Sequence, residues 1–205
     1  MKSVRPGSEG ASKRRRCLLG ALCVGLMATP FGAAGAVAPS DGAGCAVAAR
    51  AASRQAGLPP GLLDAIGLVE TGRTAADGAR TAWPYTVDAD GVGHWFASVP
   101  EAAAFARAAL AGGARAVDVG CFQIDLQDHP GAFGALRDAF DPAVNASVAA
   151  AFLTRLHRRW GTWRAAIAAY HSATPAYGLP YAAMVAAAWH GGVGTLPADR
   201  PVTDR

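Results

Sequence analysis

From Gly61 to Gly72 the chain reads Gly-Leu-Leu-Asp-Ala-Ile-Gly-Leu-Val-Glu-Thr-Gly, an apolar helical stripe that ends in an acid. At helical period Leu63, Ile66 and Glu70 fall at i, i+3 and i+7, and Leu62 and Val69 widen the stripe. A helix buried on this face carries Glu70 at the end of its apolar side, with Gly72 placed for a left-handed C-cap. Two influences then raise the pKa of Glu70: desolvation, and the negative end of the helix dipole. A carboxylic acid kept protonated near neutral pH is what glycoside cleavage needs to protonate a leaving oxygen. The alternative is a carboxylate that escapes into solvent or pairs with Arg73.

The formal charge of +4 misleads. Lys2, Arg5, Lys13, Arg14, Arg15 and Arg16 precede an apolar run, Cys17 to Met27, and then Ala33-Ala34-Gly35-Ala36. This is the layout of a signal peptide, residues 1–36, with cleavage after Ala36 or Ala38. The run is short for a membrane span. Arg15-Arg16-Cys17-Leu18-Leu19 loosely fits a twin-arginine signal, and a Sec signal fits better. Neither Cys23 nor Cys45 follows a good lipobox, so no lipid anchor is expected. Beyond residue 36 remain 13 Arg, no Lys and 14 Asp and Glu, a formal charge of −1. That balance removes the electrostatic case for nucleic acid or an anionic surface. Two cysteines remain, Cys45 and Cys121. In an oxidising compartment they suggest a bridge closing a loop of about 76 residues, worth about 4 kcal/mol in the chain-entropy model; two buried thiols are the alternative.

Residues 37–44 read as a flexible tail, 45–192 as one globular helical domain, and 193–205 as a second tail. A first helix runs from Cys45 to Ala56, and Leu58-Pro59-Pro60 opens the helix that ends in Glu70. Residues 73–82 read as a loop. Trp83–Asp88 and Val92–Phe96 flank Ala89-Asp90-Gly91, a hairpin signal and the only β-structure expected. Ser98 and Glu101 form a capping box for a helix to about Leu110, closed by Gly112-Gly113. Val117–Asp125 reads as a short helix or an extended loop. Asp141 caps a long helix whose core face is Val144, Val148, Phe152, Leu156 and Trp160. Gly161 stops it, and Thr162 caps the next, which turns Tyr170 inward. After a loop, Ser172–Gly178, a last helix buries Tyr181, Met184, Val185, Ala188 and Trp189, and Gly191-Gly192 ends it. The expected fold is all-α with one small hairpin.

Four separated stretches resemble the lytic transglycosylases with a soluble-transglycosylase type, lysozyme-like (α+β) domain. Glu70-Thr71 is similar to the family's catalytic Glu-Ser, and Gly120-Cys121-Phe122-Gln123 to its Gly-Leu-Met-Gln. Asn145 falls where the family carries an Asn early in the next helix. Ala169-Tyr170-His171-Ser172 is similar to its Ala-Tyr-Asn-(Ser/Gly), with His in place of Asn. Order and spacing agree over about residues 45–190. The resemblance implies periplasmic cleavage of the β-1,4 bond between N-acetylmuramic acid and N-acetylglucosamine in peptidoglycan. No water enters: the muramic C6 hydroxyl closes onto C1 and leaves a 1,6-anhydro end. One Glu, here Glu70, serves as acid and then as base, and no cofactor is needed. A secretion, pilus or flagellar apparatus is the partner such small members imply.

In the same resemblance Thr71, Gln123, Tyr170, His171 and Asn145 are substrate-side residues. Gln123 can donate to and accept from a sugar, or hold a loop as a buried amide. The family's Tyr at position 170 lies close to the catalytic acid. His171 introduces a charge that changes near neutral pH. Asn145 serves as helix support or as a sugar contact. Trp83, Tyr85, Trp95 and Phe96 stack on sugars or form the hairpin's own core. Asp125, Asp128 and His129 match no zinc spacing, and no metal is expected. Two rivals stand beside the transglycosylase: a hydrolytic muramidase, which needs a second carboxylate about 5–9.5 Å from the first, and a non-catalytic wall-binding or secretion-apparatus component. Of the acids near the motifs, Asp88, Asp90, Asp118 and Asp125, the first two also suit a turn.

Overall fold

The structure is a computed structural model that describes residues 41–74 and 78–190. The expected signal peptide (1–36), residues 37–40 of the expected N-terminal tail, Gly191-Gly192 and the expected tail 193–205 lie outside the described residues.

Among the described residues six α-helices, a two-stranded ladder and a four-stranded sheet make a mostly helical fold. In chain order they are α1 (Asp41–Ala56), α2 (Leu62–Thr71), β1 (Arg73–Thr74), β2 (Arg80–Thr81), β3 (Thr86–Ala89), β4 (Val92–Trp95), α3 (Val99–Ala111), β5 (Val117–Val119) and β6 (Ile124–Asp125). A 3₁₀ turn (Leu136–Phe140) then leads into α4 (Pro142–Trp160), α5 (Trp163–His171) and α6 (Pro175–His190). The main core lies among α1, α2, α4, α5 and α6, and Leu62, Leu63, Ile66, Leu153 and Ile167 fill it. A second core sits between the sheet and α3, around Val87, Val117, Val119, Ala106 and Phe140.

Local signals place most boundaries. Asp141 accepts the Ala143 and Val144 N–H groups with Oδ1 and starts α4 with Pro142 at its first position. Gly161 ends α4 at φ 78°, a left-handed turn that only glycine takes without strain. Thr162 then caps α5 through the Ala165 N–H. The hairpin turns on Asp90 and Gly91, with φ 52° and 88°, the positive pair that a tight hairpin needs.

Other expectations change. The helix expected at Cys45 begins at Asp41, because Gly42 lets the backbone pass the Thr81 side chain, which a Cβ there would strike. Gly72 is extended rather than left-handed. Ser98 makes no side-chain cap; Glu101 accepts instead from the Ala97 N–H. The loop 73–82 holds the β1–β2 ladder. Val117–Asp125 is neither helix nor loop but a second hairpin, so the sheet has four strands in the order β4-β3-β5-β6. The buried face of α4 is Asn145, Ala146, Ala149, Ala150 and Leu153, whereas Val144 and Trp160 stay 38% and 42% exposed. Small residues win there because α4 lies against the alanine face of α1, and large side chains would hold the helices apart. Helix α6 starts inside the expected loop, and Met184 is exposed.

Cys45 and Cys121 are bridged, with Cα atoms 5.8 Å apart. The bridge ties α1 to the Gly120–Gln123 turn between β5 and β6. Replacing both cysteines by Ala should lower stability by about 2–5 kcal/mol. Urea unfolding with and without reductant checks this: reductant moves the midpoint of the parent chain and leaves that of the variant in place.

Candidate active site

Helix α2 buries Leu62, Leu63, Ala65 and Ile66 and so drives its last turn, with Glu70, into a cleft between the helices and the sheet. The cleft has a volume of ≈ 720 Å³. Its walls come from α2, the sheet, the turn after β6, and the end of α5.

The Glu70 carboxyl is not paired with Arg73, whose guanidinium lies over the Trp83 ring at 4.7 Å. Instead Oε1 accepts the Tyr181 hydroxyl at 2.6 Å. Burial pushes the Glu70 pKa up to about 8. The Tyr181 hydrogen bond works against that rise, and the nearby Asp118 and Asp88 charges add to it. Glu70 is therefore a protonated acid at neutral pH, as the α2 stripe predicts.

Sequence reasoning missed Tyr181 as a site residue. Inward spacing on α6 marks it as buried, but spacing cannot tell a packing tyrosine from one whose hydroxyl meets an acid 111 residues away. Tyr170 is the tyrosine the motif singles out. It lies within electrostatic reach of Glu70, yet its hydroxyl donates to Phe122 O at 2.8 Å. The Tyr181 ring lies nearly parallel to those of Tyr170 (6.5 Å, 9°) and His171 (4.8 Å, 12°). His171 is exposed and lines the cleft.

Gln123 also lines the cleft, in the left-handed region at φ 47°. Its Nε2 donates to Gly120 O at 3.0 Å and Thr86 O at 3.4 Å, so the amide both faces the cleft and closes its own turn.

Thr71 and Asn145 are not available to a substrate. Thr71 is 1% exposed; its hydroxyl donates toward Cys121 O (3.0 Å) and Gly67 O (3.3 Å) and accepts the Trp83 N–H (3.0 Å). It pins the end of α2 to the hairpin and to the Cys121 turn. Asn145 is fully buried: Oδ1 accepts the Phe122 N–H at 2.9 Å, and Nδ2 donates to Val119 O and Ala139 O, each at 3.0 Å. It props the turn that carries Gln123. Gly120 sits against this amide at φ 78°, where a Cβ would meet both Asn145 and Ala139 O.

Strand register assembles a row of acids. Asp88 lies opposite Asp118, and Asp118 opposite Asp125, across β3, β5 and β6. With Glu70 and Asp128 they give the cleft five carboxyl groups, and none of its lining residues is Lys or Arg. Burial first, and then Asp125, Asp88 and Asp128, push the Asp118 pKa up to about 7. Asp90 serves the fold instead: its Oδ1 accepts the Arg115 and Ala116 N–H groups. Asp125 faces the cleft and also accepts the Gln127 and Asp128 N–H groups in a tight turn. Among the described residues no three of His, Cys, Asp and Glu are arranged to hold a metal ion.

The aromatic hairpin residues do not line the cleft. Trp83 Nε1 donates to Phe96 O at 2.8 Å, Trp83 meets Tyr85 edge-on at 5.9 Å, and Phe96 packs on Phe105 at 5.2 Å. They are the hairpin's own core, and Trp95 alone among them is largely exposed.

Comparison with protein-family models, with curated proteins and with solved structures finds no match to this chain.

Two outcomes follow. The folded state holds a proton on Glu70 between the ordinary glutamate value of 4.5 and about 8 that the unfolded chain gives up. Stability attributable to this site is therefore lost as pH rises through that window. Glu70→Gln should raise stability by about 1–3 kcal/mol at pH 8, with the gain fading toward pH 4.5; urea unfolding across pH reads it. Asn145→Ala should cost about 2–4 kcal/mol at every pH, because it removes three hydrogen bonds to buried backbone groups.

Proposed function

We propose that the chain is an exported, lysozyme-like lytic transglycosylase that cleaves peptidoglycan between N-acetylmuramic acid and N-acetylglucosamine. The observation that carries this reading is Glu70: a carboxyl desolvated in an open cleft, protonated near neutral pH and oriented by Tyr181. Such a group donates its proton to the glycosidic oxygen as the C1–O bond breaks. The substrate's N-acetyl group stabilises the charge that develops at C1. The carboxylate that remains then takes the proton of the muramic C6 hydroxyl as its oxygen bonds to C1. The 1,6-anhydro ring forms, Glu70 ends protonated, and no water is consumed. Gln123 and His171 line the cleft where sugar groups would lie. The Cys45–Cys121 bridge fits an oxidising, extracytoplasmic site of action.

Hydrolysis is the second reading, favoured by the acid row. Asp118 and Asp88 stand close enough for their charges to act on Glu70, so a second carboxylate is at hand to activate water. A purely wall-binding role leaves the protonated Glu70 and its Tyr181 bond without a use.

Mass spectrometry of soluble products from purified sacculi decides between them. The transglycosylase gives muropeptides one water lighter than the reducing form. Glu70→Gln should lose activity by about 10²–10⁴-fold while staying folded. Reducing ends would establish the muramidase. A folded Glu70→Gln protein that still cleaves would refute Glu70 as the acid.

A further inference from the structure

Strand register puts one aromatic side chain on the same face of the sheet as the acid row. Asp88 lies opposite Gly93 on one side and Asp118 on the other, and Thr86 lies opposite Trp95. Side chains alternate along a strand, and residues directly opposite each other share a face. Thr86, Asp88, Gly93, Trp95 and Asp118 are therefore all on the cleft face. Val87, His94 and Val119 turn the other way, where His94 meets Phe105 of α3 at 4.4 Å.

Trp95 differs from the other aromatics of the hairpin. It is 49% exposed, and among the described residues no ring or guanidinium packs on its indole. Gly93, two residues back on the same face, leaves room for the ring to lie along β4. A Cβ there would stand 3.4 Å from Trp95 Cη2 and 3.8 Å from Asp88 Oδ2. Asp88 keeps Oδ1 for the Gly91 N–H at 2.7 Å, so Oδ2 is left on the indole's side. The strand next to Trp95 leads into the site. Gln123 Nε2 donates to Thr86 O and Gly120 O, and the Gly120 N–H also donates to Thr86 O. Trp95 thus stands one strand, about 5 Å, beyond the backbone that anchors the cleft-facing amide.

We propose that Trp95 is a carbohydrate-stacking residue that extends the cleft by one sugar position, holding an N-acetylhexosamine ring of the glycan against its indole. The inference rests on the reading of the cleft as a glycan site. A pyranose ring with equatorial substituents presents a face of axial C–H groups. That face is apolar and faintly positive, the indole face is negative, and their contact removes apolar surface from water. The hydroxyls at the sugar's rim stay free to donate to Asp88 Oδ2. An uncharged sugar suits this end of the cleft, because the carboxyl row repels an anionic group. One ring held at Trp95 and another beside Glu70 would fix the direction of an extended β-1,4 chain across the sheet.

The test measures binding of β-1,4 N-acetylglucosamine oligomers to the full exported chain carrying Glu70→Gln, so that no turnover is needed. Calorimetry compares a disaccharide with a hexamer, with and without Trp95→Ala. The substitution should weaken the hexamer by about 3–10-fold and leave the disaccharide within error, so that the gain in affinity with length shrinks. Trp95→Phe should restore most of the loss. With Glu70 in place, Trp95→Ala should raise KM more than it lowers kcat. The proposal is overturned if Trp95→Ala binds the hexamer as tightly as its parent, if both oligomers weaken by the same factor, or if neither chain binds an oligomer. The products from sacculi judge the reading of Glu70 separately. A length-dependent loss at Trp95 beside reducing ends, or beside no cleavage, would sustain this site and refute the transglycosylase.

Discussion

Removing the Glu70 carboxyl from water is the costly event around which the structure is arranged. A carboxylate so buried without a cation beside it is unfavourable, and the chain meets that cost by keeping the proton. The α2 stripe places Glu70 and commits it to the cleft, because Leu62, Leu63 and Ile66 can be buried only if Glu70 comes with them. Tyr181 supplies a hydrogen bond that fixes the carboxyl's orientation and moderates its affinity for the proton. The acids on the sheet act in the opposite sense. The site balances the Tyr181 donor against a row of like charges.

The framework around it consists of buried polar groups that are themselves satisfied. Asn145, Thr71 and the Tyr170 hydroxyl all bond to backbone of the 119–122 segment. The disulfide anchors the same turn from α1. Four separate elements thus converge on a short loop whose next residue, Gln123, is held at a positive φ and faces the cleft. A motif that reads in sequence as a set of sugar contacts is in this structure largely a set of supports for one loop. Fixing a cleft-facing amide this firmly is what a preformed site requires.

Legibility in the sequence followed the range of the interaction. Glu70 at the end of its stripe, the caps at Asp141 and Thr162, the stop at Gly161 and the Asp90-Gly91 turn each depend on neighbours within a few residues, and each stands where the residues place it. Two local signals, at Gly72 and Ser98, misled, and the Cys45–Cys121 bridge is a long-range feature that the cysteine count suggested; the other long-range features were not legible. Gly178 looks like a loop residue, yet it lies within α6, and it is glycine where a Cβ would collide with the carbonyls of Ser172 and Ala168. On α4 the large apolar row is displaced from the core by alanines that match α1. Asp118 alternates with two valines, a strand pattern too short to weigh against the glycine that follows it. Its significance appears only when register sets Asp88 and Asp125 on either side. Tyr181 bears on Glu70 only through the packing of α6 against α2.

Direct titration of the Glu70 carboxyl in the folded, unsubstituted chain tests the central claim, by following its ¹³C resonance with pH. The account requires a midpoint near 8, so that Glu70 carries its proton at neutral pH. A midpoint near the ordinary glutamate value of 4.5 would show a solvated carboxylate, unfit to be the acid of a single-carboxyl glycan cleavage, and would contradict the account at its base.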